Sequence, residues 1–189
     1  MAEIKLSVLL CGVPSRIQRG LAKKIILKLD EQAKGKPVEI IYLLDNKKRT
    51  IGQKRNDLLG LAQGENVVFI DDDDDIVDVY IDSLLEGIKL GADVVVFDVE
   101  ISIQNGAYKK VIYDAAFPYD RDYKDHYERL PNHLMCVKRE IALKVGFPEK
   151  SFGEDSDYAK SLRKHIKKQA RIDKTLYYYN FSYQISEAQ

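Results

Sequence analysis

Asn66-Val67-Val68-Phe69-Ile70 runs without a break into Asp71-Asp72-Asp73-Asp74-Asp75. A short continuous apolar run reads as a strand buried on both faces, as in a parallel sheet. The carboxyl end of such a strand is where open α/β sheets place their ligands. Five adjacent carboxylates repel one another unless a cation sits among them, and hard oxygen donors in that number suit Mg²⁺ or Mn²⁺. A solvated acidic turn is the plainer reading of the same residues.

Upstream of that stretch, Leu6–Cys11 reads as a first strand, ended by Gly12 and Pro14. Ser15 is placed to cap a helix from about 16 to 32, because Ile17, Leu21, Ile25 and Leu29 recur every four residues. Val38–Leu44 is a second strand that stops at Asp45-Asn46, and a helix follows over about 52–63 with Gly64 as its C-cap. The order β-α-β-α-β with short connections is the signature of a right-handed parallel sheet.

Downstream, a helix is expected over about 79–90 and a buried strand over 93–98, extendable to 103. Asn105-Gly106 is a hairpin turn dipeptide, so the strand 107–113 should return antiparallel and make the sheet mixed. Residues 117–129, rich in Tyr, Asp and Arg, read as a long functional loop. A short strand at 135–137, a helix at 139–145, a helix at 154–168 and a last strand at 175–181 complete the pattern, with a loose tail at 182–189. The expected fold class is α/β: one domain with a mixed, mostly parallel central sheet flanked by helices.

A chain of 189 residues, 45% of them hydrophobic, can bury a full core. Thirty basic and thirty acidic residues cancel, so net charge selects no partner. Cys11 and Cys136 lack metal-ligand spacing and read as reduced, buried thiols. The apolar run Leu6–Leu10 is too short for a signal peptide, and nothing approaches a membrane span. A soluble, cytoplasmic protein without a membrane partner is expected. Oligomeric state is not legible.

The ordered set KLSVLLCGVPSR, the strand ending in Asp45, GQKRNDLLGLAQGENVVFIDDDDD, KREIALKVGFPEKSFGEDSDYAKSL and LYYYNF resembles the family 2 glycosyltransferases of the GT-A fold. The resemblance spans nearly the whole chain. It departs from the family wording at Lys54, where Ala is frequent, and at Val13-Pro14-Ser15, where Tyr-Asn is frequent. It implies a single GT-A, Rossmann-like domain, with a nucleotide-sugar half over about 1–98 and an acceptor and catalytic-base half over about 99–181.

The resemblance also assigns roles. Asp71 and Asp73 become the Asp-x-Asp pair, with Asp73 the first choice for direct metal contact, Asp71 beside it and Asp72 close to ribose and metal. The metal would be Mn²⁺ or Mg²⁺, neutralising a diphosphate leaving group. Asp74 and Asp75 are expected to cap the following turn. Asp45 would hydrogen-bond the nucleobase, although a turn-forming Asp is an alternative. Arg55 would reach base or phosphates, or else pair at the surface with Asp57 or Glu65. Cys11 and Val13 would line the nucleotide pocket through their backbone.

Gly153-Glu154-Asp155 would supply the general base, Asp155, with Glu154 positioning it or the acceptor; a helix N-terminal cap is the competing reading. A single base opposite the leaving group implies inversion at the sugar carbon. The donor implied is a nucleoside-diphosphate sugar, a UDP-sugar first.

For the acceptor, the wording RLPNHLMCVKREIA and GEDSDYAKSL resembles small phage-encoded members that glycosylate hydroxymethylated bases in DNA. His133, Asn132, Arg163 and Lys167 are the acceptor candidates. A structural role for His133, a solvated His165 and core packing for Tyr177-Tyr178-Tyr179 stand beside these readings. A saccharide or small-molecule acceptor is the in-class alternative. A non-catalytic nucleotide-sugar or nucleic-acid binding module is the alternative of another class, against which Glu154-Asp155 argues. A nucleotidyltransferase would want a Gly-rich phosphate loop with a lysine, which CGVPSR lacks.

Overall fold

The computed structural model describes residues 3–18 and 20–181. The expected tail at 182–189 lies outside the described residues. In chain order the elements are β1 (Leu6–Gly12), α1 (Pro14–Gln18), α2 (Leu21–Ala33), β2 (Val38–Leu44), α3 (Ile51–Leu61), β3 (Asn66–Asp71), β4 (Asp75–Ile76), α4 (Tyr80–Ile88), β5 (Val94–Ile103), β6 (Lys109–Tyr113), β7 (Arg121–Asp122), β8 (His126–Arg129), β9 (Cys136–Lys138), α5 (Arg139–Val145), α6 (Glu154–Arg163) and β10 (Gln169–Phe181).

Among the described residues the strands form one sheet, ordered β2-β1-β3-β9-β5-β6-β8-β7, with β10 pairing β5 and β4 off that path. Its first third is parallel, β1 lying between β2 and β3 with Leu10 opposite both Tyr42 and Ile70. The apolar runs explain this: Leu6, Val8, Leu9 and Leu10 are fully buried, and Val67 to Ile70 nearly so. No polar alternation remains to expose either face. β5 holds the two halves together, with β10 along one edge and β9 and then β6 along the other. The sheet is mixed, as the hairpin dipeptide predicts. Gln104 and Asn105 both take left-handed backbone angles, φ 53° and 58°, and Val99 pairs antiparallel with Val111.

Four expectations need correction. The single helix over 16–32 is two, because Gly20 at φ 76° breaks the ladder between α1 and α2. Gly64 does not cap α3, whose C-cap is Ala62. A Cβ on Gly64 would lie 2.7 Å from the Ser7 amide nitrogen, so its smallness lets the chain pass close to β1. The supposed loop 117–129 contains the β7–β8 hairpin, and β8 runs parallel beside β6.

The last correction concerns the basic helix over 154–168, which ends at Arg163. The Asp93 carboxylate accepts from the Lys167 and Lys168 amides at 2.9 and 3.0 Å, so those amides leave the helical ladder. The chain enters β10 six residues earlier than the apolar pattern suggests, at Gln169 rather than Thr175. No helix of the described residues is long and apolar enough to cross a membrane.

Candidate active site

The carboxyl ends of β1 and β3 open into a cleft of about 390 Å³. Its floor is Cys11, Gly12 and Val13 from β1 and the following turn, and Asp71 and Asp73 from the end of β3. Gly12 makes room there for the Tyr42 ring, since an added Cβ would sit 2.0 Å from the Tyr42 hydroxyl and force it to move. That hydroxyl donates to Asp72 Oδ2 at 3.2 Å.

The five aspartates are therefore not equivalent. Asp71 and Asp73 are half-buried and line the cleft, whereas Asp72 is fully buried behind it. Asp74 and Asp75 do not cap the turn as expected. Asp74 turns inward and accepts from the Tyr177 hydroxyl at 2.7 Å and the Asn180 amide at 2.8 Å. Burial, with the charges of Asp71 and Asp73 nearby, raises the Asp74 pKa well above the ordinary carboxylate range. Asp75 opens β4 and pairs with Lys24 and Lys28. The Tyr177 hydroxyl also accepts from the Asp71 amide at 3.1 Å, so this core tyrosine holds both ends of the acidic turn.

The opposite wall is the start of α6. Gly153, in the left-handed region at φ 72°, turns the chain so that Glu154 is buried while Asp155 faces the cleft. Arg55 links the two walls: Nη1 donates to Glu154 Oε1 at 2.7 Å, and Nη2 to Asp71 Oδ1 at 3.4 Å. Its guanidinium lies 5.8 and 5.4 Å from the Phe69 and Phe147 ring centres. Burial works against that charge, but the Asp71 and Glu154 carboxylates offset it and raise the Arg55 pKa. Burial also pushes the Cys11 thiol up to about 12, so this cysteine is a neutral wall rather than a nucleophile.

A second cavity of about 390 Å³ adjoins the first. Its walls include Val99, Val111, Tyr113, Tyr127, Leu134 and the polar Asn132. Four residues line both cavities: His133, Asp155, Ser156 and Tyr179. His133 is buried, with Nε2 3.4 Å from Asp71 Oδ2 and with no hydrogen-bond partner on Nδ1.

Cys11, Val13, Arg55, Asp71, Asp73, His133, Glu154 and Asp155 thus converge on one cleft, and Asn132 faces its neighbour. Asp45 lines neither. Its carboxylate accepts from the Lys47 amide and from Arg49, and pairs with the buried Lys54 at 3.4 Å. Burial would raise its pKa, but these partners outweigh that and lower it. Arg163 and Lys167 are exposed and line neither cavity; Arg163 Nε donates to the Ala115 carbonyl at 3.2 Å.

Sequence reasoning missed Lys54, Phe152, Tyr179, Asn180 and Phe181 as lining residues. Lys54 had a signal, being the charged departure from the family wording. Phe152, 92% exposed beside Gly153, had only its position. Tyr179 read as core, and Asn180 and Phe181 only as the end of the last strand, because a strand's far end looks the same in sequence whether it packs or lines a cleft.

No family model and no curated protein matches the chain. Solved structures do. The S. aureus TarS fragment 1–349 superposes with a TM-score of 0.66 at 17% identity, covering 93% of this chain and 60% of that one. The fold is GT-A-like. The same fragment in complex with UDP-GlcNAc gives 0.67 at 16% identity over 94% of this chain and 59% of that one. Its complex with UDP gives 0.62 at 17%, over 94% and 61%. The chain therefore spans about three-fifths of the length of those fragments.

Proposed function

We propose that the protein is an inverting, divalent-metal-dependent glycosyltransferase that moves a sugar from a nucleoside-diphosphate sugar, a UDP-sugar first, to a hydroxyl acceptor. The observation that carries this reading is the position of Asp155 in the wall shared by two cavities, facing the Asp71–Asp73 cleft on one side. A base between donor and acceptor compartments is what in-line displacement at a sugar carbon requires. The TarS fragment of the same fold, crystallised with UDP-GlcNAc and with UDP, supports a nucleotide-sugar donor.

In this reading the donor's diphosphate lies at Asp71 and Asp73, with Gly12 and Val13 close beneath the nucleoside. The acceptor hydroxyl reaches Asp155 from the second cavity. Asp155 takes its proton, the oxygen bonds to the anomeric carbon from the face opposite the leaving group, and the bond to the diphosphate oxygen breaks. The products are the glycosylated acceptor, the nucleoside diphosphate and a proton held on Asp155.

The residues present fit Mn²⁺ or Mg²⁺. Asp71 and Asp73 offer hard oxygen donors at the cleft. No group of three or more His, Cys, Asp or Glu ligands is preformed among the described residues. A cation there would be held by one or two carboxylates and completed by substrate phosphates. When bound, it would supply charge neutralisation to the diphosphate leaving group.

The favoured acceptor is a 5-hydroxymethylpyrimidine in DNA. The second cavity supports it through the rings of Tyr113, Tyr127 and Tyr179 and the Asn132 amide and His133, although Asp120, Asp122 and Arg129 also line it. Such a chamber suits one flat ring flipped out of a duplex. Beside it, Arg129 lies 4.9 Å over the Tyr127 ring, and Arg121 lies 5.7, 5.9 and 5.7 Å from the rings of Phe117, Tyr119 and Tyr123. Cations among aromatic faces suit phosphates and stacked bases, and here a phosphate would compete with the carboxylates that already pair them, Asp122 with Arg129 at 2.7 Å and Glu128 with Arg121. Arg163 and Lys167 remain phosphate contacts in this proposal, as single exposed cations rather than a helical face. The setting expected is the cytoplasm of a host cell.

The test is incubation with Mn²⁺, a panel of nucleotide sugars and hydroxymethylated DNA, followed by nucleoside mass spectrometry. A hexose-sized mass increase is expected. Donor cleavage with no mass shift on any DNA rejects the DNA acceptor and leaves a saccharide or small-molecule acceptor. Binding without cleavage of any donor leaves a non-catalytic module.

A further inference from the structure

Arg55 is 4% exposed, and its two terminal nitrogens diverge to two different carboxylates, Glu154 Oε1 at 2.7 Å and Asp71 Oδ1 at 3.4 Å. Those carboxylates belong to opposite walls of the cleft, one at the end of β3 and one in the first turn of α6. The guanidinium plane is confined between Phe69 and Phe147, whose rings meet edge to face at 5.4 Å, and Phe147 in turn stacks on Tyr158 of α6 at 4.0 Å. A planar fork held this way fixes both the separation and the tilt of the groups it binds, which a flexible ammonium cannot do.

We propose that Arg55 is a positioning residue that ties the donor carboxylate Asp71 to the Glu154-Asp155 start of α6, rather than a ligand of the nucleotide. The inference rests on the donor and base roles proposed above. Glu154 precedes Asp155 in the chain, so holding the buried Glu154 carboxylate sets where Asp155 stands in the shared wall. Misplacing a catalytic group by about 1 Å costs on the order of 100-fold in rate, so a strut of this kind acts on turnover and leaves donor affinity nearly untouched.

The test compares the wild-type chain with Arg55→Gln, Glu154→Gln and the double variant. Calorimetry with UDP and Mn²⁺ reads binding, and UDP release from whichever UDP-sugar the wild type cleaves reads turnover. Arg55→Gln is expected to bind UDP within about threefold of wild type while kcat falls on the order of 100-fold. The double variant should be no slower than the slower single variant, because both remove the same strut.

Should Arg55→Gln fail to fold, Arg55→Lys keeps the cation without the fork; it should lose about tenfold in kcat with unchanged UDP affinity. A rise of more than about tenfold in the UDP Kd of Arg55→Gln or Arg55→Lys, with Glu154→Gln binding normally, makes Arg55 a nucleotide ligand and overturns the proposal. Multiplied losses in the double variant overturn it too. A wild-type chain that binds no uridine nucleotide with Mn²⁺ instead rejects the donor reading, and this inference with it.

Discussion

Asp74 belongs to the acidic run by sequence and to the core by position. Its two oxygens accept from the Tyr177 hydroxyl and the Asn180 amide, clipping β10 to the turn that carries Asp71 and Asp73. Removing a buried acceptor strands its donors, at about 1–3 kcal/mol for each unsatisfied group. Asp74→Ala is therefore expected to lower stability by about 2–4 kcal/mol in urea unfolding. Tyr177→Phe, which keeps the ring and leaves Asn180 paired but strands both an Asp74 oxygen and the Asp71 amide, should lose a similar amount. Equal stability of Asp74→Ala and wild type would mean that the clip carries no weight. The run therefore divides into a cleft-facing pair and members that hold the turn in shape.

The start of α3 shows what one element contributes to the site. Thr50 caps it: the hydroxyl accepts from the Gln53 amide at 3.2 Å, and the Gln53 side chain accepts from the Thr50 amide at 3.0 Å. Gly52 then packs its backbone against the segment before α6, donating to the Lys150 carbonyl at 3.1 Å. A Cβ on Gly52 would lie 1.8 Å from the Pro148 carbonyl oxygen, so Gly52→Ala must push α3 and Arg55 away from Glu154. It is expected to destabilise the chain by about 1–3 kcal/mol and to slow turnover; a thermal scan showing no loss would contradict the close approach.

Strands β1 and β3 were legible because continuous apolar runs leave no solvent face to choose, and β2, a partly exposed edge strand, from its largely apolar run between Pro37 and Asp45. Helix ends and short pairings were not. Asp93 ends the α6 region by accepting two amides from 74 and 75 residues away, and β8 pairs in parallel with β6. Both are long-range contacts with no local pattern. In the candidate site, the convergence of Asp71, Asp73, Glu154 and Asp155 on one cleft followed the motifs, whereas Asp45 and Asp72 do not line it. Tyr177 packs in the core as read, but the lining role of Tyr179 was not readable, because a strand's period says which face a residue occupies but not whether that face meets core or ligand.

For the whole molecule, β5 carries β10 along one edge and β9 and β6 along the other, and the Asp93 carboxylate pins its beginning. That carboxylate binds the Lys138 ammonium at 3.0 Å as well as the Lys167 and Lys168 amides. Burial would raise its pKa, but these bonds more than offset that and hold it below the ordinary value. The folded state thus binds the Asp93 proton less readily than the unfolded chain. This contribution is present above the ordinary carboxylate pKa and is lost as pH falls through the depressed folded value. Asp93→Asn should cost about 1–2 kcal/mol at neutral pH and flatten the acid limb of the stability curve. Unchanged acid sensitivity in that variant would assign the limb to other carboxylates.

Asp155 lines both cavities, and the proposed function makes it the base between donor and acceptor. The most direct measurement is the rate of UDP formation from UDP-sugars with Mn²⁺, for wild type and Asp155→Asn side by side, with UDP affinity measured on both. Turnover by the wild type is predicted, with a loss of about 10²–10⁴-fold in the variant at unchanged UDP affinity. A wild type that forms no UDP from any of the sugars, or a variant as fast as the wild type, would contradict the account.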